Sequence, residues 1–218
     1  MRPDARIVLA GFGGQGILFA GKVIAYAGLI EGREVSWLPS YGPEMRGGTA
    51  NCSVTLSDDP VGSPLVVEPN MLVVMNQPSL EKFRDAVVPG GVVVADATMV
   101  PDVPAIEGVR VVSLPATAMA EEHGLKGLAN VILVGKLFAE TGFCDRATLD
   151  AAIGKCVPAR KAAMVEKHKP ALQIGIEAYP PFAILRGAPQ ARSRDAKLVP
   201  LGKGSRVAGR STRKEADG

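Results

Sequence analysis

The sequence predicts an α/β fold: a Rossmann-like open, mostly parallel sheet flanked by helices, followed by C-terminal helices and a mobile basic tail. Three observations support this prediction. The apolar run Ile7–Ala10 leads into the glycine-rich turn Gly11–Gly16, and a helix-like run, Ile17–Leu29, follows the turn. Further short apolar runs alternate with helical patterns as far as about residue 179. Basic residues then concentrate in the segment after Leu185.

Length and charge divide the chain into two parts. Its 218 residues are enough for one domain with a substantial core. Nine of the 25 Lys/Arg residues and three of the 22 Asp/Glu residues lie after Leu185. The earlier residues therefore hold 16 basic and 19 acidic side chains. We therefore expect a nearly neutral domain, 1–185, and a flexible basic tail, 186–218. We expect the tail to be solubilising or locally variable. The alternative is affinity for phosphate or nucleic acid, which would be nonspecific because the tail has no aromatic residue to stack on bases.

Cysteine usage and hydropathy narrow the class of protein. Cys52, Cys144 and Cys156 are widely spaced, with no C-x-x-C motif, which argues against an iron–sulfur or zinc site built from this chain alone. No apolar run reaches the ~18 residues that a membrane span needs, and no signal-peptide core precedes the first strand. These features predict a cytoplasmic protein.

The first elements form a βαβ unit. Arg6–Ala10 is expected as a buried strand and residues 16–30 as a helix, with Ile17 and Ala20 among the residues facing the core. Val35–Leu38 is expected as the second strand, reached by a right-handed crossover.

The remaining pattern continues this alternation. The predicted strands are Ala50–Leu56, Met71–Met75, Val92–Ala95 and Val109–Ser113, and the predicted helices are 76–87, 115–123, 127–140, 147–156 and 160–179. Asp145 is expected to cap the helix that begins at Ala147, and Pro170 to weaken the last helix. Asp96, at a strand end, either contacts a ligand or caps the turn Ala97–Thr98, and we favour the cap.

The turn Gly11–Gly16 has the spacing G-x-G-x-x-G, as in dinucleotide-binding βα units. Glycine lets backbone N–H groups approach a phosphate closely. In a nicotinamide-binding unit, however, an acidic residue at the end of the second strand binds the ribose, and here Leu38–Ser40 occupies that place. We therefore interpret the turn mainly as a tight corner lined with amides, which either binds a phosphate or serves packing alone.

The segment Ser40–Gly48 has three glycines, one proline and charges of both signs, so we expect a loop. It should lie just beyond the second strand and beside the glycine turn, where open α/β sheets bind ligands and partners. Arg46 suits a carboxylate, a phosphate or a subunit contact, because a guanidinium can bind an anion at two points. The alternative is a structural loop in which Glu44 and Arg46 pair or face solvent.

The sequence contains no recognisable catalytic constellation. His123 and His168 lie in charged helix ends, where we expect both to be solvated. There is no nucleophile elbow, zinc-binding H-E-x-x-H or phosphate-binding P-loop motif. The residues therefore indicate a binding or assembly module rather than a complete active site.

Several segments together resemble the gamma subunits of 2-oxoacid:ferredoxin oxidoreductases. They are Gly11–Gly16, Ser40–Gly48, Leu56–Asp58, Leu114–Thr117, and Leu128–Asn130 with Gly135, in order from about residue 5 to residue 145. The pair GGQG and YGPExRGG is far more specific than either motif alone. The second motif is closer to the 2-oxoglutarate, branched-chain and pyruvate branches than to the indolepyruvate branch. One departure is Lys169-Pro170, which precedes Ala171–Gly175 where the family often carries an asparagine.

The resemblance implies a subunit, inactive alone, of an enzyme that oxidatively decarboxylates a 2-oxoacid, forms an acyl-CoA and reduces ferredoxin. Among the 2-oxoacids, 2-oxoglutarate is the first to consider. Thiamine diphosphate, Mg²⁺ and iron–sulfur clusters are implied on partner chains. The resemblance leaves open whether coenzyme A binds at an interface of this chain. The implied partners are alpha and beta thiamine-binding subunits. A ferredoxin-like delta subunit would be a further partner in such an assembly, and this partner stays open.

The resemblance also gives the two glycine-rich segments their expected roles. The turn would position the first helix, and the loop would face a neighbouring subunit or coenzyme A. The cofactor-contact residues that we predict are Gly11, Gly13, Gly14, Gln15 and Gly16 in the turn, and Tyr41, Glu44, Arg46, Gly47 and Gly48 in the loop. A catalytic residue or a metal site is not expected in this chain.

Two other classes of protein remain open at this level. A stand-alone NAD- or FAD-dependent oxidoreductase is supported by the first βαβ unit and opposed by the missing acidic residue after Leu38. A nucleic-acid-associated protein would work through the basic tail in a salt-sensitive way, and we regard this class as the weaker one.

Overall fold

A computed structural model describes residues 4–40, 49–158 and 164–178. The loop 41–48 and the predicted basic tail 186–218 lie outside the described residues. The strands are β1 (Ala5–Phe12), β2 (Glu34–Ser40), β3 (Thr49–Ser57), β4 (Met71–Val74), β5 (Val92–Asp96) and β6 (Arg110–Leu114). The α-helices are α1 (Ile17–Ile30), α2 (Gln77–Phe83), α3 (Ala116–Glu122), α4 (Ala129–Thr141), α5 (Arg146–Cys156) and α6 (Val165–Glu177).

The six strands form one sheet in the order β2-β3-β1-β4-β5-β6. Strand β3 is antiparallel to both of its neighbours, whereas β1, β4, β5 and β6 pair in parallel. The predicted open, mostly parallel α/β sheet with C-terminal helices is therefore confirmed.

Strand β3 separates the two strands of the predicted βαβ unit. It pairs with β2 from Ser40↔Asn51 to Glu34↔Ser57, and with β1 from Phe12↔Thr49 to Ala5↔Leu56. A short connection joins antiparallel strands far more readily than parallel ones, so β3 turns back along β2. Consequently β3, not β2, lies beside β1.

The alternation of side chains along the buried strands divides the core between the two faces of the sheet. Ile7 and Leu9 belong to a large cluster that includes residues of α1, α4, α5 and α6. Val8 belongs to a smaller cluster on the opposite face, together with Leu72 and Leu80. In the described part of the chain, no helix is long and apolar enough to cross a membrane.

Helices α4 and α6 cross at two glycines. A Cβ atom on Gly135 would collide with the backbone carbonyl oxygen of Leu172, and one on Gly175 would collide with that of Ile132. The two backbones therefore approach closely only because neither position carries a side chain. Pro170 lies inside α6 without ending it. The predicted start of this helix, Arg160, lies outside the described residues.

One local prediction was wrong, and a second was right in position only. His168 is 3% exposed rather than solvated: its Nδ1 lies 2.6 Å from the Met164 carbonyl oxygen and its ring centroid 5.2 Å from that of Phe19. The prediction failed because the neighbours of His168 in sequence are charged, whereas its own face of α6 packs against the core. Asp145 is the N-cap residue of α5, but its side chain makes no capping hydrogen bond. His123 is exposed, as predicted.

Candidate functional site

The candidate site lies at the carboxyl edge of the sheet, between β1 and β4. After β1 the chain forms α1, which packs on one face of the sheet. After β4 it forms α2, which contributes to the cluster on the opposite face. This divergence makes a topological switch point, where α/β sheets bind ligands. A cavity of about 290 Å³ opens there. Its lining includes Gly14, Gln15, Met75, Met99, Thr117, Ala120, Glu121, Lys126, Gly127 and Ala129.

The glycine turn uses two left-handed backbone conformations. Gly14 has a φ of 93° and Gly16, the N-cap residue of α1, has a φ of 78°. A Cβ atom on Gly16 would also lie 2.5 Å from Nδ2 of Asn130, and that Nδ2 donates a hydrogen bond to the Gly16 carbonyl at 3.0 Å. The last glycine of the motif thus permits the approach of α4, which supports the predicted packing role of the turn.

Gln15 joins the turn to the end of β4. Its Oε1 accepts a hydrogen bond from the backbone N–H of Phe12 at 2.6 Å, and its Nε2 donates to the Met75 carbonyl oxygen at 2.9 Å. The Met75 N–H in turn donates to the Ala10 carbonyl oxygen at 2.9 Å. One side chain therefore bridges the two strands where their regular pairing has ended.

Asp96 caps the turn after β5, as predicted, and it is fully buried. Its Oδ1 accepts hydrogen bonds from the N–H groups of Thr98 at 3.1 Å and Thr117 at 3.2 Å, and its Oδ2 accepts from the Thr117 hydroxyl. The carboxylate thus caps the turn after β5 and also holds the first residues of α3. Since Thr117 lines the cavity, Asp96 positions one of its walls.

The three cysteines are structural in character. Cys52, Cys144 and Cys156 are buried and form no disulfide. Burial raises the pKa of the Cys52 thiol to about 12 and that of the Cys156 thiol to about 11, so both stay protonated at neutral pH. Among the described residues, no cluster of three His, Cys, Asp or Glu side chains is arranged to hold a metal ion.

The position of β2 weakens the dinucleotide interpretation. The strand beside the glycine turn on that side is β3, whose Thr49 pairs with Phe12. The residue that would bind ribose in a nicotinamide unit is neither acidic nor on the adjacent strand. Within the described residues, an NAD site of the ordinary type therefore lacks the acidic residue that binds the ribose.

The two ends of the second glycine-rich loop lie at the same edge as the turn. Ser40 ends β2, and Thr49 begins β3 beside Phe12. The loop residues that we predicted as contacts, Tyr41, Glu44, Arg46, Gly47 and Gly48, lie outside the described residues. Of the predicted turn residues, Gly14 and Gln15 line the cavity.

Sequence reasoning missed most of the cavity lining. Met75 and Met99 follow β4 and β5, whereas Glu121 and Lys126 lie at the end of α3 and in the connection to α4. Single methionines and isolated charges carry no local pattern. The available signal was topological, because residues that follow adjacent parallel strands meet at one edge.

Comparisons with known proteins agree on one family. The model of the pyruvate ferredoxin/flavodoxin oxidoreductase family matches residues 6–178. Over 139 residues the chain is 45% identical to the ketoisovalerate oxidoreductase subunit VorA of Methanothermobacter thermautotrophicus, an alignment that covers 63% of this chain and 28% of VorA. It is 36% identical over 162 residues to the 2-oxoglutarate synthase subunit KorC of Methanocaldococcus jannaschii, covering 72% of this chain and 85% of KorC. The chain thus spans only about a quarter of VorA but most of KorC.

Solved structures share the fold. The gamma subunit of a keto/oxoacid ferredoxin oxidoreductase from Geobacter sulfurreducens superposes with a TM-score of 0.69 at 27% identity, covering 79% of this chain and 96% of that one. A 2-oxoglutarate:ferredoxin oxidoreductase from Magnetococcus marinus, with 2-oxoglutarate, coenzyme A and succinyl-CoA bound, gives 0.70 at 24% identity. That match covers 80% of this chain and 31% of the other, and at this identity it bears on the fold alone.

Proposed function

Since the chain belongs to the pyruvate ferredoxin/flavodoxin oxidoreductase family, as a gamma subunit of a 2-oxoacid:ferredoxin oxidoreductase, we propose that it completes a multi-chain enzyme. In this proposal the enzyme oxidatively decarboxylates a 2-oxoacid, transfers the acyl group to coenzyme A and reduces ferredoxin. This chain contributes assembly and a binding surface. The observation that carries the proposal is the cavity between the glycine turn and the end of β4, inside the matched residues 6–178.

We propose 2-oxoglutarate as the first substrate to test. The support is the KorC relative, 85% of whose length is spanned by this chain. Ketoisovalerate is the second, because the local identity to VorA is higher, at 45%. These two acids differ in that one ends in a carboxylate and the other in a branched apolar group. A single activity assay with both acids would therefore separate them.

The reaction needs more chemistry than the described residues provide. We propose that alpha and beta subunits carry thiamine diphosphate with Mg²⁺, and that the iron–sulfur clusters lie on partner chains, a ferredoxin-like delta subunit among them. The buried, protonated state of Cys52 and Cys156 fits a chain whose thiols serve packing.

We propose that the cavity seats part of coenzyme A. Lys126 offers a positive charge for a phosphate, and Met75 and Met99 offer apolar walls for an uncharged arm. The cavity thus offers one cationic and two apolar side chains to a phosphorylated thiol carrier, beside the carboxylate of Glu121.

Replacement of Lys126 by alanine tests this seat. We expect Lys126→Ala to raise the KM for coenzyme A about tenfold, equivalent to about 1.4 kcal/mol of lost charge-assisted binding. The KM for the 2-oxoacid should stay unchanged, and Lys126→Arg should retain most of the affinity. Steady-state kinetics of the assembled complex measure both constants. The control is Lys155→Ala, at the exposed end of α5 away from the cavity; an equal effect of the control would contradict the assignment.

Co-expression tests the proposed function as a whole. A tagged version of this chain, co-expressed with the proposed alpha and beta chains, should retain them through size-exclusion chromatography. The purified assembly should be brown, because iron–sulfur clusters absorb visible light. A chain that remains a colourless monomer in the presence of those partners would contradict the proposal.

A further inference from the structure

The side-chain amide of Gln15 has one admissible orientation. In the observed orientation Oε1 faces the Phe12 N–H, and Nε2 faces the Met75 carbonyl oxygen. Rotating the amide by 180° would place an NH₂ group against an N–H donor and a carbonyl oxygen against another carbonyl. Both contacts would become repulsive, so the partners on β1 and β4 determine the orientation of the amide.

The first glycine of the motif makes room for this bridge. A Cβ atom on Gly11 would lie 2.7 Å from Oε1 of Gln15, well inside ordinary contact distance. The side chain thus folds back over the strand that precedes it. The spacing of Gly11 and Gln15 therefore serves an internal contact of the turn, in addition to any contact with a ligand.

The bridge is located where the sheet itself no longer holds the strands together. The last paired residues of β1 and β4 are Ala10 and Val74. Beyond them, the Met75 N–H binds the Ala10 carbonyl, and the Met75 carbonyl binds Gln15. Gln15 and Met75 both line the cavity, so the length of this bridge sets the distance between two of its walls.

We propose that Gln15 is a positioning residue, whose amide sets the width of the switch-point cavity by bridging Phe12 and Met75. The inference rests on the proposed function only for its kinetic readout. The sequence predicted that Gln15 contacts the cofactor itself. In this proposal Gln15 instead positions the cavity walls that make the contact. The affinity for coenzyme A should therefore depend on whether this side chain can accept from one strand and donate to the other at the same time.

Replacement of Gln15 by glutamate separates these two contacts. The carboxylate still accepts from the Phe12 N–H, but it cannot donate to the Met75 carbonyl unless it is protonated. In the assembled complex at pH 8 we expect Gln15→Glu to raise the KM for coenzyme A about tenfold, with kcat within about twofold of wild type. The defect should shrink as the pH falls toward the ordinary glutamic acid pKa of about 4.3, because protonation restores the donor.

Two further variants complete the test. Gln15→Ala should show the same rise in KM without the pH-dependent recovery. Gln173→Glu is the matched control, since Gln173 on α6 does not line the cavity, accepts a hydrogen bond from Nη1 of Arg146 at 2.7 Å and donates one to Glu177. It should leave the KM unchanged at every pH. A Gln15→Glu complex with wild-type KM would overturn the inference, whereas a wild-type complex without acyl-CoA-forming activity would overturn the proposed function instead.

Discussion

Replacing Gly175 with alanine is expected to lower the free energy of unfolding by about 3 kcal/mol, the upper end of the range for overpacking. The new methyl group would overlap the Ile132 carbonyl oxygen, and this oxygen belongs to a helix backbone that no rotamer change can move aside. Helices α4 and α6 would have to separate, which would open the contact around Leu172, a fully buried residue. Urea unfolding followed by far-UV circular dichroism measures the loss.

Gly154 provides the matched control for this substitution. It also lies inside a helix, α5, but it is exposed, and no atom beyond the backbone of its own helix lies within 4 Å of where its Cβ would be. Gly154→Ala should therefore stabilise the chain by about 0.5–1 kcal/mol, because alanine loses less backbone entropy in a helix. Equal effects of the two substitutions would contradict the close packing of α4 on α6.

Replacing Asp96 with alanine is expected to lower the free energy of unfolding by about 2–3 kcal/mol. The change removes a fully buried carboxylate and leaves the N–H groups of Thr98 and Thr117 without their acceptor. A loss of this size corresponds to a melting temperature about 4–12 °C lower for a chain of this length. Differential scanning calorimetry would measure it directly.

The control for Asp96 is Asp85, whose side chain is 86% exposed and lies 3.5 Å from Arg84. Asp85→Ala should change stability by no more than about 0.5 kcal/mol, as is usual for surface positions and exposed ion pairs. If Asp96→Ala were as mild as Asp85→Ala, Asp96 would not be the buried cap that anchors the start of α3.

The glycine turn shows what local pattern can predict. An apolar run, a G-x-G-x-x-G spacing and a helical run place strand, turn and helix correctly, because each of these depends on neighbours in sequence. The order of the strands depends on pairing across the sheet. The alternation of apolar and polar residues in β3 fits a strand beside β2 alone as well as a strand between β2 and β1. Sequence periodicity therefore did not reveal that β3 lies between them.

The candidate site shows where sequence reasoning stops. Gly14 and Gln15 were predicted as contacts and do line the cavity, but Lys126 and Met99 were not predicted, since they come together only through the fold. His168 was misjudged for a related reason. Its neighbours Lys167 and Lys169 suggested a solvated segment, whereas tertiary packing turns this one side chain toward Phe19.

Reconstitution of the reaction tests the central claim most directly. The proposed partner chains, purified with and without this chain, should be incubated with 2-oxoglutarate, coenzyme A and ferredoxin, and in parallel with ketoisovalerate. We predict that acyl-CoA formation and ferredoxin reduction occur together, with one of the two acids, only when this chain is present. Full activity of the partner chains in its absence would contradict its role as a gamma subunit that the enzyme requires.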